Sequence, residues 1–147
     1  LTDTHCHLNF KAFIKDLDEV IKRGRNAGID KIIVPGAKVD SSRRAIEIAN
    51  NYENIFAAVG IHPHHADQDH DIETLIALAG HEKTVAIGEI GLDHHRYKNY
   101  PKILQSEKDK QVLLFIEQPG SLKAIWPLDP MPRIIISMPP AFFINLS

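Results

Sequence analysis

A layered α/β protein, with a parallel sheet covered by helices, is the fold class this sequence predicts. Three observations support it. Short apolar runs at 31–34, 55–59 and 84–87 alternate with longer stretches of helical periodicity. The runs are apolar on both faces, as strands buried on both sides are. Polar residues able to do chemistry follow the runs directly, where the C-terminal rim of a parallel sheet lies.

The opening residues Leu1 to His7 alternate in character and read as a short first strand. Side chains two apart share a face of a strand, so Asp3, His5 and His7 point one way and Thr4 and Cys6 the other. Asp16 to Ala27 follows as an amphipathic helix with Leu17, Val20, Ile21, Gly24 and Ala27 on one stripe, stopped by Gly28. Lys31 to Val34 is the second strand, closed by Pro35-Gly36. Asp40-Ser41-Ser42 offers N-cap chemistry to a helix reaching about Asn50, with Ala45, Ile46 and Ala49 inward. Ile55 to Val59 is the third strand and leads into Gly60-Ile61-His62-Pro63-His64-His65. A third helix spans Asp71 to Ala79, with Ile72, Leu75, Ile76 and Leu78 as its apolar side and Gly80 behind it. Thr84 to Ile87 is the fourth strand and runs into Gly88-Glu89-Ile90-Gly91-Leu92-Asp93. The fourth helix, Pro101 to Gln118, buries Ile103, Val112, Leu113 and Ile116.

Beyond Pro119 the character changes. Six of the nine prolines fall in residues 119–147, where only Lys123, Asp129 and Arg133 are charged. Ile134-Ile135-Ile136 could form a strand, but proline at that density does not continue a βα repeat. Residues 119–147 therefore read as an irregular Pro-rich tail, possessing the look of a frameshift or misjoined exon; a native extension is the alternative. The fold-bearing unit is 1–118. Its sheet could close as an open doubly wound layer or as part of a (β/α) barrel. No Gly-rich phosphate fingerprint follows the first strand, which argues against a nucleotide-binding open sheet.

Composition excludes several classes. With 44% hydrophobic and 24% charged residues over 147 positions, the chain is long enough for a core and is neither disordered nor membrane-embedded. A net charge of −2 confines any nucleic-acid contact to a local site, since broad phosphate neutralisation needs a basic surface. One cysteine excludes an internal disulfide and fits a reducing compartment, with the cytoplasm as the expectation. No apolar stretch approaches the roughly 20 residues that span a bilayer, and the start is unlike a secretory signal. The chain opens on Leu rather than Met, which fits a trimmed start.

The chemistry concentrates at three strand ends: His5 and His7, then His62 and His64, then Glu89 and Asp93. Neutral imidazole is the commonest protein ligand for a metal, and Asp3 could orient a ring from behind. A carboxylate such as Glu89 after a buried strand is costly to leave unpaired, and a cation removes that cost. His-x-His with a carboxylate suits Zn, Mn, Fe or Co, while Mg prefers more oxygen donors.

Asp3-Thr4-His5-Cys6-His7, Gly60-Ile61-His62-Pro63-His64 and Ile87-Gly88-Glu89-Ile90-Gly91-Leu92-Asp93 together resemble the TatD family of metal-dependent deoxyribonucleases. Order, spacing and strand placement match over residues 1–118. The resemblance implies a TIM-type (β/α)8 barrel, of which this chain holds about the first four βα units. It also implies two divalent metals at the C-terminal rim, with Mg, Mn and Zn undistinguished, and hydrolysis of DNA phosphodiester bonds by in-line attack of water. By position, His5 and His7 would bind one metal and Glu89 would bridge to a second. The family's remaining ligands, two histidines and an aspartate from later strands, have no counterpart, because no histidine follows His95. Such a barrel takes about 250 residues.

The same resemblance makes His62 and His64 candidates to contact phosphate, with a polar loop rim as the alternative. Glu89, His62 and Asp93 are the candidate catalytic residues; Asp93 orients a ligand or transfers a proton, or else caps a helix. Arg96 could meet a phosphate oxygen, or stand solvated at the surface. His94 and His95 receive no role, Cys6 is expected in packing, and His70 and His81 at the surface. The expected function is a metal-dependent deoxyribonuclease impaired by loss of later-strand ligands. The alternatives are a non-catalytic metal-binding remnant, self-associating through the incomplete barrel edge, or another amidohydrolase-like barrel enzyme.

Overall fold

The computed structural model describes residues 1–65, 68–91 and 134–137. The expected fourth helix, with Asp93, His94, His95 and Arg96, lies outside the described residues. The strands are β1 (Thr2–Asp3), β2 (Lys31–Pro35), β3 (Ile55–Val59), β4 (Thr84–Ile90) and β5 (Ile134–Ser137). The helices are α1 (Leu17–Asn26), α2 (Val39–Asn51) and α3 (Ile72–Ala79).

All pairings are parallel and the strand order is β1-β2-β3-β4-β5, each strand beside its chain neighbour. A doubly wound sheet reverses its strand order at a switch point; this one does not. The two faces are equally telling. The large core cluster joins strand residues Ile32, Val34, Ile55, Ala57, Val59 and Ile87 to Ile21 of α1, Ile46 and Ile48 of α2 and Leu75 of α3. On the opposite face Ile33, Ala58 and Ala86 cluster with strand residues only. Helices on one face, with side chains of the next strand positions packed together on the other, is the winding of a (β/α) barrel. The sheet ambiguity is thereby resolved.

Local physics explains where the bounds shift. Helix α2 begins two residues earlier than an Asp40 cap implies, at Val39. Ser41 sits inside the helix, and its hydroxyl reaches back to accept from the Lys38 and Ala37 amides. Helix α3 begins one residue after the expected Asp71, which caps it instead: the Asp71 carboxylate accepts from the Thr74 amide at 2.9 Å and from its hydroxyl at 2.6 Å. Those two bonds hold the Asp71 carboxyl below its ordinary range. Its apolar side is corrected at one position, because Ile76 is 42% exposed and Ala79 is buried in its place. Helix α1 ends as read, with Gly28 in the left-handed region at φ 88°.

Strand β4 is longer than its apolar run. It continues through Gly88 and Glu89 to Ile90, so Glu89 stands on the strand and not on a following loop. The isoleucine run that proline density argued against does join the sheet: Ile134 and Ile135 pair with Ala86 and Ile87. Prolines flank that segment but none falls inside it, so each of its residues keeps its amide for the ladder. Among the described residues no helix is long and apolar enough to cross a membrane.

Candidate metal centre

Three strands deliver the site. After β1 the chain stays beside β2, with the Cys6 amide donating to the Ile33 carbonyl at 3.1 Å. Cys6 turns to the core while His5 and His7 turn from it together. Burial, and then Asp3, push the Cys6 thiol up, so it remains a thiol and packs. Asp3 does not orient a ring. Its carboxylate accepts from the His5 amide at 3.0 Å and so fixes the backbone ahead of the pair. Asn9 anchors the same loop from the other side, donating to the Pro35 carbonyl at 2.9 Å and the Ser41 carbonyl at 3.0 Å.

Glu89 arrives from β4, 4% exposed. Its Oε1 lies 3.2 Å from His5 Nε2 and its Oε2 3.5 Å from His7 Nε2. The two Nε2 atoms are 3.2 Å apart. Around a tetrahedral ion with bonds of about 2.0–2.1 Å, neighbouring donors stand about 3.3–3.4 Å apart. The two imidazole nitrogens, one facing Glu89 Oε1 and the other Oε2, therefore stand from each other and from the carboxylate at spacings close to the edges of one metal's coordination shell. Among the described residues this is the one His/Cys/Asp/Glu group of three or more so gathered.

The protonation chemistry agrees. Burial pushes the His7 imidazole below its ordinary value; Glu89 and the Pro35 carbonyl pull it back up, and His5 pushes it further down. The net direction favours the neutral ring, the form that donates a lone pair to a metal. His7 Nδ1 is buried and makes no well-formed hydrogen bond. Nε2 is the ring nitrogen that faces the site, 3.5 Å from Glu89 Oε2. The Phe10 ring stacks on His7, centroids 4.5 Å apart and 21° from parallel, and limits the imidazole's rotation. The residues thus fit a divalent cation in donor type and spacing.

His62 and His64 form a separate pair on the turn after β3, rings 4.6 Å apart and edge-on. The His62 amide donates to the Ala37 carbonyl, and the His64 amide to His62 Nδ1. Their rings lie outside the His5/His7/Glu89 donor group. His70 and His81, expected at the surface, are half-buried and bonded to backbone: His70 to the His65 carbonyl, His81 to the Lys83 amide. Asn9 and Phe10 were not singled out by sequence reasoning. An Asn and an aromatic just beyond His-x-His were the available signals, and neither is distinctive without the fold.

Comparison with known proteins bears on the same residues. A family profile described as TatD related DNase matches residues 2–118. The uncharacterized metal-dependent hydrolase YabD of Bacillus subtilis is 42% identical over 109 residues, 73% of this chain and 42% of that protein. The 3'-5' ssDNA/RNA exonuclease TatD of Cronobacter sakazakii is 34% identical over 117 residues, 78% of this chain and 44% of that protein. The crystal structure of YJJV, a TatD homolog from Escherichia coli, superposes with a TM-score of 0.68 at 35% identity, covering 80% of this chain and 44% of that one. The chain thus spans less than half the length of the relatives it matches.

Proposed function

The chain belongs to the TatD related DNase family, and from that membership we propose that it carries one portion of a divalent-metal centre that hydrolyses DNA phosphodiester bonds. The observation that carries this reading is the gathering of His5, His7 and Glu89, whose donor atoms stand within 4.8 Å of one another. When bound there, a divalent ion supplies Lewis acidity and lowers the pKa of water. His5 and His7 hold it as neutral donors, so the centre keeps net positive charge once Glu89 contributes its single negative charge. That residual charge attracts a phosphodiester to an otherwise acidic chain, of net charge −2.

His62 and His64, on the neighbouring rim turn, contact the phosphate as hydrogen-bond donors. Asp93, the last residue of the third motif block, handles a proton or orients a ligand, and Arg96 meets a phosphate oxygen through its guanidinium. The three described donors serve one ion, which favours a second reading in which the chain alone binds metal and turns over slowly. Residues 119–147 are read as a separate tail, the incomplete barrel edge beyond the fourth strand, which β5 partly covers, as a site of self-association, and a single cysteine as a sign of cytoplasmic residence.

Two measurements test this. Equilibrium dialysis with Mn should give one ion per wild-type chain and none for Glu89→Ala. Release of nucleotides from end-labelled single-stranded DNA and RNA in Mg or Mn should be slow in the wild type and absent in Glu89→Ala. A wild-type chain that takes up no metal would falsify the proposal.

A further inference from the structure

Behind the candidate centre lies a closed brace of four residues. Ser42, in the first turn of α2, is polar yet fully buried. Its hydroxyl accepts from the Gly60 amide at 3.3 Å and donates to the Gly60 carbonyl at 3.4 Å. Capping of α2 does not need it, because Ser41 performs that task. Gly60 bears directly on Glu89. A Cβ built on Gly60 would stand 2.6 Å from the Gly88 carbonyl carbon, 2.8 Å from Glu89 O and 2.9 Å from Glu89 N. Only a residue without a side chain lets β4 come this close. The Glu89 amide then donates to the Gly36 carbonyl at 2.8 Å. Gly36 closes the circuit: a Cβ there would fall 2.1 Å from Ser42 Oγ, so the hydroxyl occupies the notch that Gly36 leaves.

We propose that Ser42 is a positioning residue for Glu89, setting the carboxylate's reach toward His5 and His7 through Gly60. The proposal rests on the metal reading above. Ser42 touches neither the donor atoms nor substrate. It fixes the backbone from which the one buried carboxylate of the site projects, and a carboxylate displaced by a few tenths of an ångström no longer matches the edge lengths of the two imidazoles.

Titration of the full chain with Co2+, read by its visible absorption, tests this alongside denaturation of the metal-free proteins. Ser42→Ala should bind Co2+ about tenfold more weakly, the scale of outer-shell substitutions at metal sites, with a shifted spectrum. Gly60→Ala should weaken binding at least as much. Leu75→Ala, a buried change on α3 that removes no member of the brace, should lower stability and leave affinity and spectrum unchanged. If Ser42→Ala does not fold, Ser42→Cys, which keeps a weak donor and acceptor in place, should bind with intermediate affinity. Wild-type affinity in the Ser42 and Gly60 variants, or an equal loss in Leu75→Ala, overturns the positioning role. A wild-type chain that binds no Co2+ removes instead the metal reading on which it rests.

Discussion

Glu89 is the residue where stability and function part company. Its carboxylate is 4% exposed and faces two imidazoles, one of which burial holds toward the neutral form. Without a cation, a buried anion beside a largely neutral partner is poorly compensated, and desolvation can outweigh attraction. Glu89→Gln keeps the shape and removes the charge. We expect the metal-free variant to unfold in urea at the wild-type midpoint or above it, while divalent-metal affinity falls by at least about tenfold. A marked loss of metal-free stability would mean that the carboxylate is already satisfied by protonated imidazole. Phe10 makes the complementary case. Its ring is 50% exposed, so burial contributes little, but it stacks on His7. Phe10→Ala should cost about 0.5 kcal/mol, the low end for an aromatic pair, read as a small drop in the urea midpoint. It should also weaken metal binding, because His7 becomes free to rotate. Unchanged metal affinity would show that Pro35 and Asn9 suffice to hold the loop.

At the scale of elements, α3 offers the cleanest pH test. The Asp71 carboxyl lies below its ordinary value of 3.8 in the folded chain, because it accepts from the Thr74 amide and hydroxyl. A depressed carboxyl contributes stability that is present above its unfolded value and is lost as pH falls through its folded one. Asp71→Ala should therefore unfold below the wild-type temperature at neutral pH, and the gap should close as the buffer is acidified past the usual carboxylate range. A gap that persists in acid would place the cap's worth in packing instead of charge. The same helix shows what a one-dimensional pattern reveals. Asp71 is a capping residue by type and position, and the 3.6 period found Leu75; both are local signals. Ile76 was misplaced because a short helix leaves the width of its apolar stripe to its neighbours. Glu89's place on the strand was hidden for a similar reason, since Gly88 looks like a terminator unless Gly60 is known to lie against it. His5 and His7 were legible from period two alone. Asn9, Phe10 and Ser42 were not, because their importance lies in partners 26 to 32, 3 and 18 residues away. The residues after Gln118 illustrate the opposite hazard: proline density argued against a continued βα repeat there, yet the isoleucine run, with no proline inside it, pairs with β4.

For the molecule as a whole, the metal would act as a ligand of the fold, because its donors come from strands separated by two others in the described sheet. His5 and His7 follow β1 and Glu89 belongs to β4, while β2 and β3 lie between them. An ion joining them would close the rim across the sheet's curvature and bind only the assembled state, so its binding free energy adds to the free energy of unfolding. At a hundredfold excess over its dissociation constant, a single ion adds about 2.7 kcal/mol. For a chain of this size that corresponds to a rise in melting temperature on the order of 5–10 °C. The rise should reverse with chelator and vanish in His5→Ala and in Glu89→Ala, and it should survive Leu75→Ala, whose own melting point is lower. Scanning calorimetry at two metal concentrations tenfold apart separates this from nonspecific ion effects: a true site moves the transition by the logarithm of concentration, whereas screening of a weakly charged surface moves it little and does so in every variant alike.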